Sequence, residues 1–143
     1  MLLGEFNHNL DNKGRLLIPA KFRNKFSDGI IITRGIDNCL FGFPRDEWEK
    51  VVAKLTNLPI SQANARAFSR LMLSGAFETE IDNQGRILIP EILRKYANLN
   101  KKVVIVGVYS RIEIWDKEKW ENYKKQSEEN SEEIAERLSD LGI

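Results

Sequence analysis

A single cysteine, Cys39, and a single histidine, His8, leave this 143-residue chain without an internal disulfide framework, a cysteine-based zinc site or a histidine cluster for a metal. Its apolar runs are only a few residues long, too short to span a bilayer. The start, Met1-Leu2-Leu3-Gly4-Glu5, lacks the basic flank and long apolar stretch of a secretory signal. Nine glycines and four prolines exclude a collagen-like or low-complexity chain. The phosphate-loop, dinucleotide, zinc-protease and dithiol motifs G-x-x-x-x-G-K-[ST], G-x-G-x-x-G, H-E-x-x-H and C-x-x-C do not occur. The carboxylates are scattered or fall on helix faces, with no pair suited to acid–base work. His8 and Cys39 are the one conceivable nucleophile–base pair. However, His8 alternates with Phe6 and Leu10, and Cys39 follows a turn-like Asp37-Asn38, so both read as packing residues. An enzyme, a metal and a cofactor are all argued against, and a soluble cytoplasmic protein is expected.

What is present is an ordinary globular composition, 42% apolar and 30% charged. At this length folding removes roughly 68–70% of the unfolded chain's accessible surface, so a core is possible without staples. The net charge of +1 conceals a gradient, with a balance of +4 over residues 1–74 and −3 over residues 75–143. The first half can therefore carry a local anion-binding surface.

The most informative feature is an internal repeat. Residues 4–23, GEFNHNLDNKGRLLIPAKFR, and residues 75–94, GAFETEIDNQGRILIPEILR, are identical at ten of twenty positions, among them Arg23 and Arg94. The similarity continues more weakly: Ile30-Ile31-Ile32 answers Val103-Val104-Ile105, and Trp48 answers Trp120. Neither copy is long enough to bury a good core alone, so the two are expected to pack as one pseudo-twofold body of two half-barrels.

Each copy reads as β-β-α-β-β. Phe6, His8 and Leu10 alternate, as do Phe77, Thr79 and Ile81, the period-2 pattern of a strand with one buried face. Asp11-Asn12-Lys13-Gly14 and Asp82-Asn83-Gln84-Gly85 are turns: Asp accepts from a backbone N–H two residues on, and Gly tolerates the left-handed conformation. Arg15–Ile18 and Arg86–Ile89 return as strands whose near-continuous apolar run predicts burial on both faces. Pro19 and Pro90 suit the start of short helices carrying Phe22/Phe26 and Leu93/Ala97 at i,i+4 spacing. Further strands are expected near 29–34, 39–43, 102–108 and 111–115. Between the copies, helices are predicted over Arg45–Leu55 and Pro59–Leu73, the second with Ala63, Ala67, Leu71 and Phe68 facing inward. The acidic run between Glu128 and Glu136 reads as a solvated helix face, and Trp48/Trp120 and Phe43/Trp115 as packing pairs.

The tandem Asp-Asn-x-Gly-Arg-hydrophobic-Leu-Ile-Pro, with Ala-Arg-Ala-Phe-Ser-Arg-Leu-Met-Leu-Ser-Gly-Ala at residues 65–76, resembles the MraZ family over nearly the whole chain. These are bacterial regulators built from two AbrB-like swapped-hairpin DNA-binding modules. The resemblance implies an α+β fold, a double-repeat β-barrel of interlocked hairpins with a helical insert and a C-terminal helix. It divides the chain into a first repeat over 5–47, a helical connector over 48–75, a second repeat over 76–119 and a C-terminal helix over 120–143. It further implies a homo-oligomer, in ring form, that binds double-stranded DNA at short direct repeats in its own promoter. There, in association with the nucleoid, it acts on transcription of the division and cell-wall gene cluster, without a small-molecule substrate.

Physically, a hairpin carrying Arg can deliver guanidinium groups to phosphates or to guanine O6/N7 in the major groove. Arg15 and Arg86 directly follow tight turns, and a rigidly held fork loses less rotamer entropy on binding. The competing reading is that each arginine pairs with its own motif aspartate, Asp11 or Asp82, and only locks the turn. Gly14 and Gly85, like the two aspartates, are assigned to turn geometry. Lys13, Lys21, Arg23 and Lys25 add charge around the first turn. In the second, Gln84, Glu78, Glu80 and Glu91 stand where the first copy has Lys13, Asn7, Asn9 and Ala20, so the first repeat is expected to contribute more. The DNA-contact candidates are thus Lys13, Arg15, Lys21, Arg23 and Arg86. The alternative is a protein-interaction module of the same fold, of the antitoxin type.

Overall fold

The computed structural model describes residues 1–142. The chain runs β1 (Leu2–Asn9), β2 (Arg15–Leu17), a 3₁₀ helix (Ala20–Phe26), β3 (Ile30–Arg34), β4 (Leu40–Pro44), α1 (Arg45–Thr56) and α2 (Ala63–Ser74). The second half follows the same order: β5 (Phe77–Thr79), β6 (Arg86–Leu88), α3 (Glu91–Tyr96), β7 (Lys102–Tyr109), β8 (Ile112–Asp116) and α4 (Lys117–Glu129). A short α5 (Ser131–Arg137) and a 3₁₀ turn (Ser139–Leu141) end the chain.

The architecture is α+β, and its repeats are interlocked. β3–β4 and β7–β8 are local antiparallel hairpins, but β1 pairs with β7 of the other repeat, Leu2 opposite Tyr109 through Asn9 opposite Lys102. Equivalently β5 pairs with β3, Ile30 opposite Thr79. β4 joins β8 through Leu40 opposite Ile114, completing a six-stranded sheet of order β1-β7-β8-β4-β3-β5. That order is the same from either end once the repeats are exchanged, which is the pseudo-twofold. β2 and β6 leave this sheet and form a separate two-stranded ribbon, Arg15 opposite Leu88 and Leu17 opposite Arg86. The expected hairpin between β1 and β2 survives as one bridge, Leu10 opposite Leu16. The sheet itself stays open, with β1 and β5 at its edges. The barrel is completed by packing rather than by a closed ladder.

One core fills the space between ribbon and sheet. Leu16 and Ile87 of the ribbon strands, with Ile18 and Ile89 just after them, meet Ile30, Ile32, Val103, Ile105, Ile112 and Ile114 of the sheet. Phe22, Phe26, Leu93 and Ala97, the helical pairs expected inside, are all buried there. On the opposite face Phe41, Phe43, Val104, Val106 and Trp115 meet Leu55 and Met72. Trp48 packs against Phe43 with ring centroids 5.6 Å apart and Trp120 against Trp115 at 5.3 Å, so both pairs serve packing.

Three expectations are corrected. The ribbon strands are buried on one face only, since Leu17 and Leu88 are 36% and 43% exposed. A lone two-stranded ribbon has one side on the core and the other in solvent, so an unbroken apolar run does not bury it twice. α2 begins at Ala63, not Pro59, and turns Met72 inward, while Ala63, Ala67, Phe68 and Leu71, all expected inside, are exposed. Its single inward anchor is held by Thr33, whose hydroxyl donates to the Met72 carbonyl. The C-terminal segment is helical in two pieces, interrupted at Asn130, and its acidic run is fully exposed.

Candidate nucleic-acid interface

The two Asp-Asn-x-Gly-Arg turns are built identically from their own polar atoms. Asp11 Oδ1 accepts from the backbone N–H of Lys13 at 2.9 Å and of Arg15 at 2.8 Å. Asp82 Oδ1 accepts from Gln84 and Arg86 at 2.9 Å each. The N–H of Gly14 donates to the Asp11 carbonyl and that of Gly85 to the Asp82 carbonyl. Both glycines have φ near +80°, the left-handed region in which a Cβ is unfavourable. The backbone N–H of Arg15 is the main reason the Asp11 carboxyl titrates below its ordinary range, and the N–H of Arg86 does the same for Asp82.

The arginines use one nitrogen on the turn. Arg15 Nε donates to Asp11 Oδ2 at 2.7 Å, and Arg86 Nε to Asp82 Oδ2 at 3.0 Å. Among the described residues the terminal nitrogens of both donate no hydrogen bond, and the two side chains remain 33% and 27% exposed. The turn-locking pair is thus present, with the aspartate holding the guanidinium through Nε, and it leaves the outer edge of each fork without a hydrogen-bond partner among the described residues.

The interlock brings the two turns together. Because β2 pairs with β6, Arg15 and Leu17 share the ribbon's outward face with Arg86 and Leu88, opposite the buried Leu16 and Ile87. The Ile18 N–H donates to the Gly85 carbonyl at 2.9 Å and the Ile89 N–H to the Gly14 carbonyl at 2.8 Å. Each repeat then clamps the other's turn. Arg23 Nε donates to the Ile18 carbonyl, and its guanidinium lies where a Cβ on Gly85 would sit, 2.5 Å from Cζ. Arg94 repeats the arrangement with the Ile89 carbonyl and Gly14, its Nε 2.9 Å from that Cβ position. Four arginines from both halves thus gather on one ribbon.

Lys13 is exposed at the tip of the first turn. Lys21 is placed differently from the other candidates: its ammonium sits 5.3 Å from the Phe6 ring centroid and 5.9 Å from that of Phe22, at the helix–strand contact. Glu78 pairs with Arg45, and Glu91 with Lys95 at 3.1 Å, so two of the acidic substitutions in the second repeat are already engaged by cations. Arg94 was not among the candidates, although its identity with Arg23 in the repeat was the signal that marks it. Leu17 and Leu88 were missed because their runs read as buried. Cys39 is fully buried, its thiol pushed up by burial and its Sγ donating to the Ile36 carbonyl at 3.2 Å, with no hydrogen bond to His8 among the described residues. No helix is long and apolar enough to cross a membrane among the described residues.

Comparison with known proteins agrees with this duplicated arrangement. A family model described as "MraZ protein, putative antitoxin-like" matches twice, over residues 1–71 and 72–141. The chain is 53% identical over 141 residues to a protein of Desulforamulus reducens named "Transcriptional regulator MraZ", covering 99% of each. Proteins of the same name from Natranaerobius thermophilus and Halothermothrix orenii are 52% and 53% identical over 143 residues, covering 100% of each chain.

Proposed function

The chain belongs to the MraZ family, and on that premise we propose that it is a transcriptional regulator that binds promoter DNA through its two Asp-Asn-x-Gly-Arg turns. The observation that carries this reading is the shared ribbon, on whose outward face Arg15 and Arg86 stand diagonally across from each other with their terminal nitrogens unused. A two-stranded ribbon fits the major groove, and a guanidinium held by its Nε still offers two nitrogens to guanine O6/N7 or to a phosphate. Leu17 and Leu88 on the same face supply apolar contact of the kind that thymine methyl groups accept. Arg23 and Arg94 hold the turns and add charge beneath them. Lys13 adds a mobile cation at the first tip.

The protein acts as a homo-oligomer on short direct repeats in its own promoter, ahead of the division and cell-wall gene cluster. The exposed apolar residues Phe68 and Leu71 of α2 support self-association, and Leu58 and Ile60 of the preceding segment are exposed as well. Several subunits, each with a few well-placed cations, reach high avidity on repeated half-sites although one chain carries a net charge of only +1. A gel-shift assay with duplex DNA from its own promoter tests the proposal. Arg15→Ala is expected to lose retention while keeping the elution volume of the assembly, because the turn keeps both backbone bonds to Asp11. If binding survives, or if the duplex is never retained, the antitoxin-like protein-interaction reading takes its place.

A further inference from the structure

The repeat permits a comparison of two equivalent surfaces within one chain. In the ladders, Asn7 lies opposite Val104, His8 opposite Val103 and Asn9 opposite Lys102, just as Glu78 lies opposite Ile31 and Thr79 opposite Ile30. Val103 faces Asp116 across β7–β8 as Ile30 faces Pro44 across β3–β4, so Lys117, next after Asp116, corresponds to Arg45, next after Pro44. Asn7 therefore stands where the other half has Glu78, and Lys117 where it has Arg45.

The two surfaces differ in charge, one closed by an ion pair and the other cationic. In one, Glu78 closes the site by pairing with Arg45, whose Nε also donates to the Asp28 carbonyl. In the other, the carboxylate is replaced by the neutral Asn7, and Lys102, next before Val103, adds a second ammonium where the first repeat has Gly29, next before Ile30. Among the described residues no carboxylate lies within ion-pair distance of Lys102 or Lys117. The result is a cavity of about 240 Å³ lined by Asn7, His8, Asn9, Lys102, Val103 and Lys117, with cations and neutral hydrogen-bonding groups but no acid. The adjoining cavity shares Lys102 and Lys117 with this one and adds Asp116, Glu118 and Glu121, so the two lysines stand between an acid-free cavity and an acidic one.

The inner limit joins the arginine ribbon. The Leu10 N–H donates to the Lys101 carbonyl at 2.7 Å, which fixes the start of β7 beside the residue preceding Asp11. His8 is half-buried, and burial first and the nearby Arg23 second hold its imidazole below its usual value, so at neutral pH it is an uncharged hydrogen-bonding group. Arg23 in turn rests on the Gly85 turn. The Leu10–Lys101 contact thus connects the end of β1, where Asn9 lies opposite Lys102, to the first turn.

We propose that Asn7, His8, Asn9, Lys102 and Lys117 form a phosphate site that takes a backbone phosphodiester of the same duplex whose groove the arginine turns enter. The inference rests on the DNA-binding reading above and extends it: the two halves of one chain meet DNA unequally because Glu78 has shut one copy of the site. The test measures affinity for promoter duplex by fluorescence anisotropy over a range of salt. Lys102→Ala/Lys117→Ala is expected to weaken binding about tenfold and to flatten log K against log salt by about 0.9 for each phosphate that is no longer neutralised. Asn7→Glu recreates the closed arrangement on an exposed strand position and should weaken binding in the same sense, while Glu78→Asn, which frees Arg45, should strengthen it. Lys54→Ala/Lys125→Ala removes the same charge elsewhere and should leave both quantities unchanged. Wild-type protein that fails to bind duplex sinks the underlying reading. Wild-type binding that is untouched in Lys102→Ala/Lys117→Ala, or weakened equally in Lys54→Ala/Lys125→Ala, sinks this inference alone. So does thermal stabilisation by inorganic phosphate that needs Lys102 and Lys117 while duplex affinity does not, which would mark a free-anion site.

Discussion

Gly14 and Gly85 concentrate the local constraints of the molecule, because each combines a left-handed φ with a partner's arginine in the space of its missing side chain. Gly14→Ala places a methyl 2.9 Å from Arg94 Nε and 3.0 Å from the Ile89 carbonyl, so strain and displacement act together. The backbone component alone costs roughly 1–2 kcal/mol, and a lowered urea midpoint with unchanged m-value is the expected result. Gly85→Ala should behave alike, displacing Arg23. The aspartates add a pH dependence. Their folded-state values lie below the unfolded ones, so their contribution is present above the unfolded carboxylate range and is lost as pH falls through the lower folded values. Urea midpoints measured from pH 7 down to pH 3 should therefore fall on the acid side. Asp11→Asn/Asp82→Asn, which keeps an oxygen acceptor but not the charge, should lower the plateau and flatten that fall. At this scale the sequence was highly legible: Asp, Gly and Arg each showed a chemical reason for their place in the turn. Arg94 was marked only by its identity with Arg23 in the repeat, since nothing local singles out a residue whose partners are a backbone carbonyl five residues before it and a glycine in the other repeat.

Elements were legible in kind and less so in partnership. Period-2 alternation marked β1 and β5, and i,i+4 spacing marked the buried Phe22/Phe26 and Leu93/Ala97 pairs. The pattern around each turn is that of a local hairpin, and no period in a sequence tells a strand to pair with its own neighbour or with the equivalent strand 71 residues away. Only the family resemblance carried the swap. α2 illustrates the reverse error, since its apolar residues fall on the exposed side and only Met72 reaches the core. The two kinds of position should separate cleanly. Met72→Ala is expected to cost about 2–5 kcal/mol in denaturant unfolding. Phe68→Glu or Leu71→Glu should leave that unfolding curve nearly in place and instead reduce the mass seen by light scattering. A Phe68→Glu protein of unchanged mass would place the self-association surface elsewhere.

The whole molecule is one folding unit because every cross-repeat ladder, β1 with β7, β3 with β5, β4 with β8 and β2 with β6, leaves an unpaired edge if the halves are parted. Residues 1–74 or 75–143 alone should show neither a cooperative thermal transition nor the native circular dichroism spectrum as monomers, and mixing them should restore both. The same interlock places Arg15 and Arg86 on one surface, so the unit proposed to meet DNA is the ribbon of the two repeats together. The most direct measurement is the affinity of the intact protein for its promoter duplex across a salt series, beside Arg15→Ala/Arg86→Ala. The account predicts a linear fall of log K with log salt in the wild type, and in the variant a loss of roughly 1–3 kcal/mol per arginine that contacts a base, with the assembly unchanged in mass. Equal affinities and equal slopes for the two proteins would contradict it.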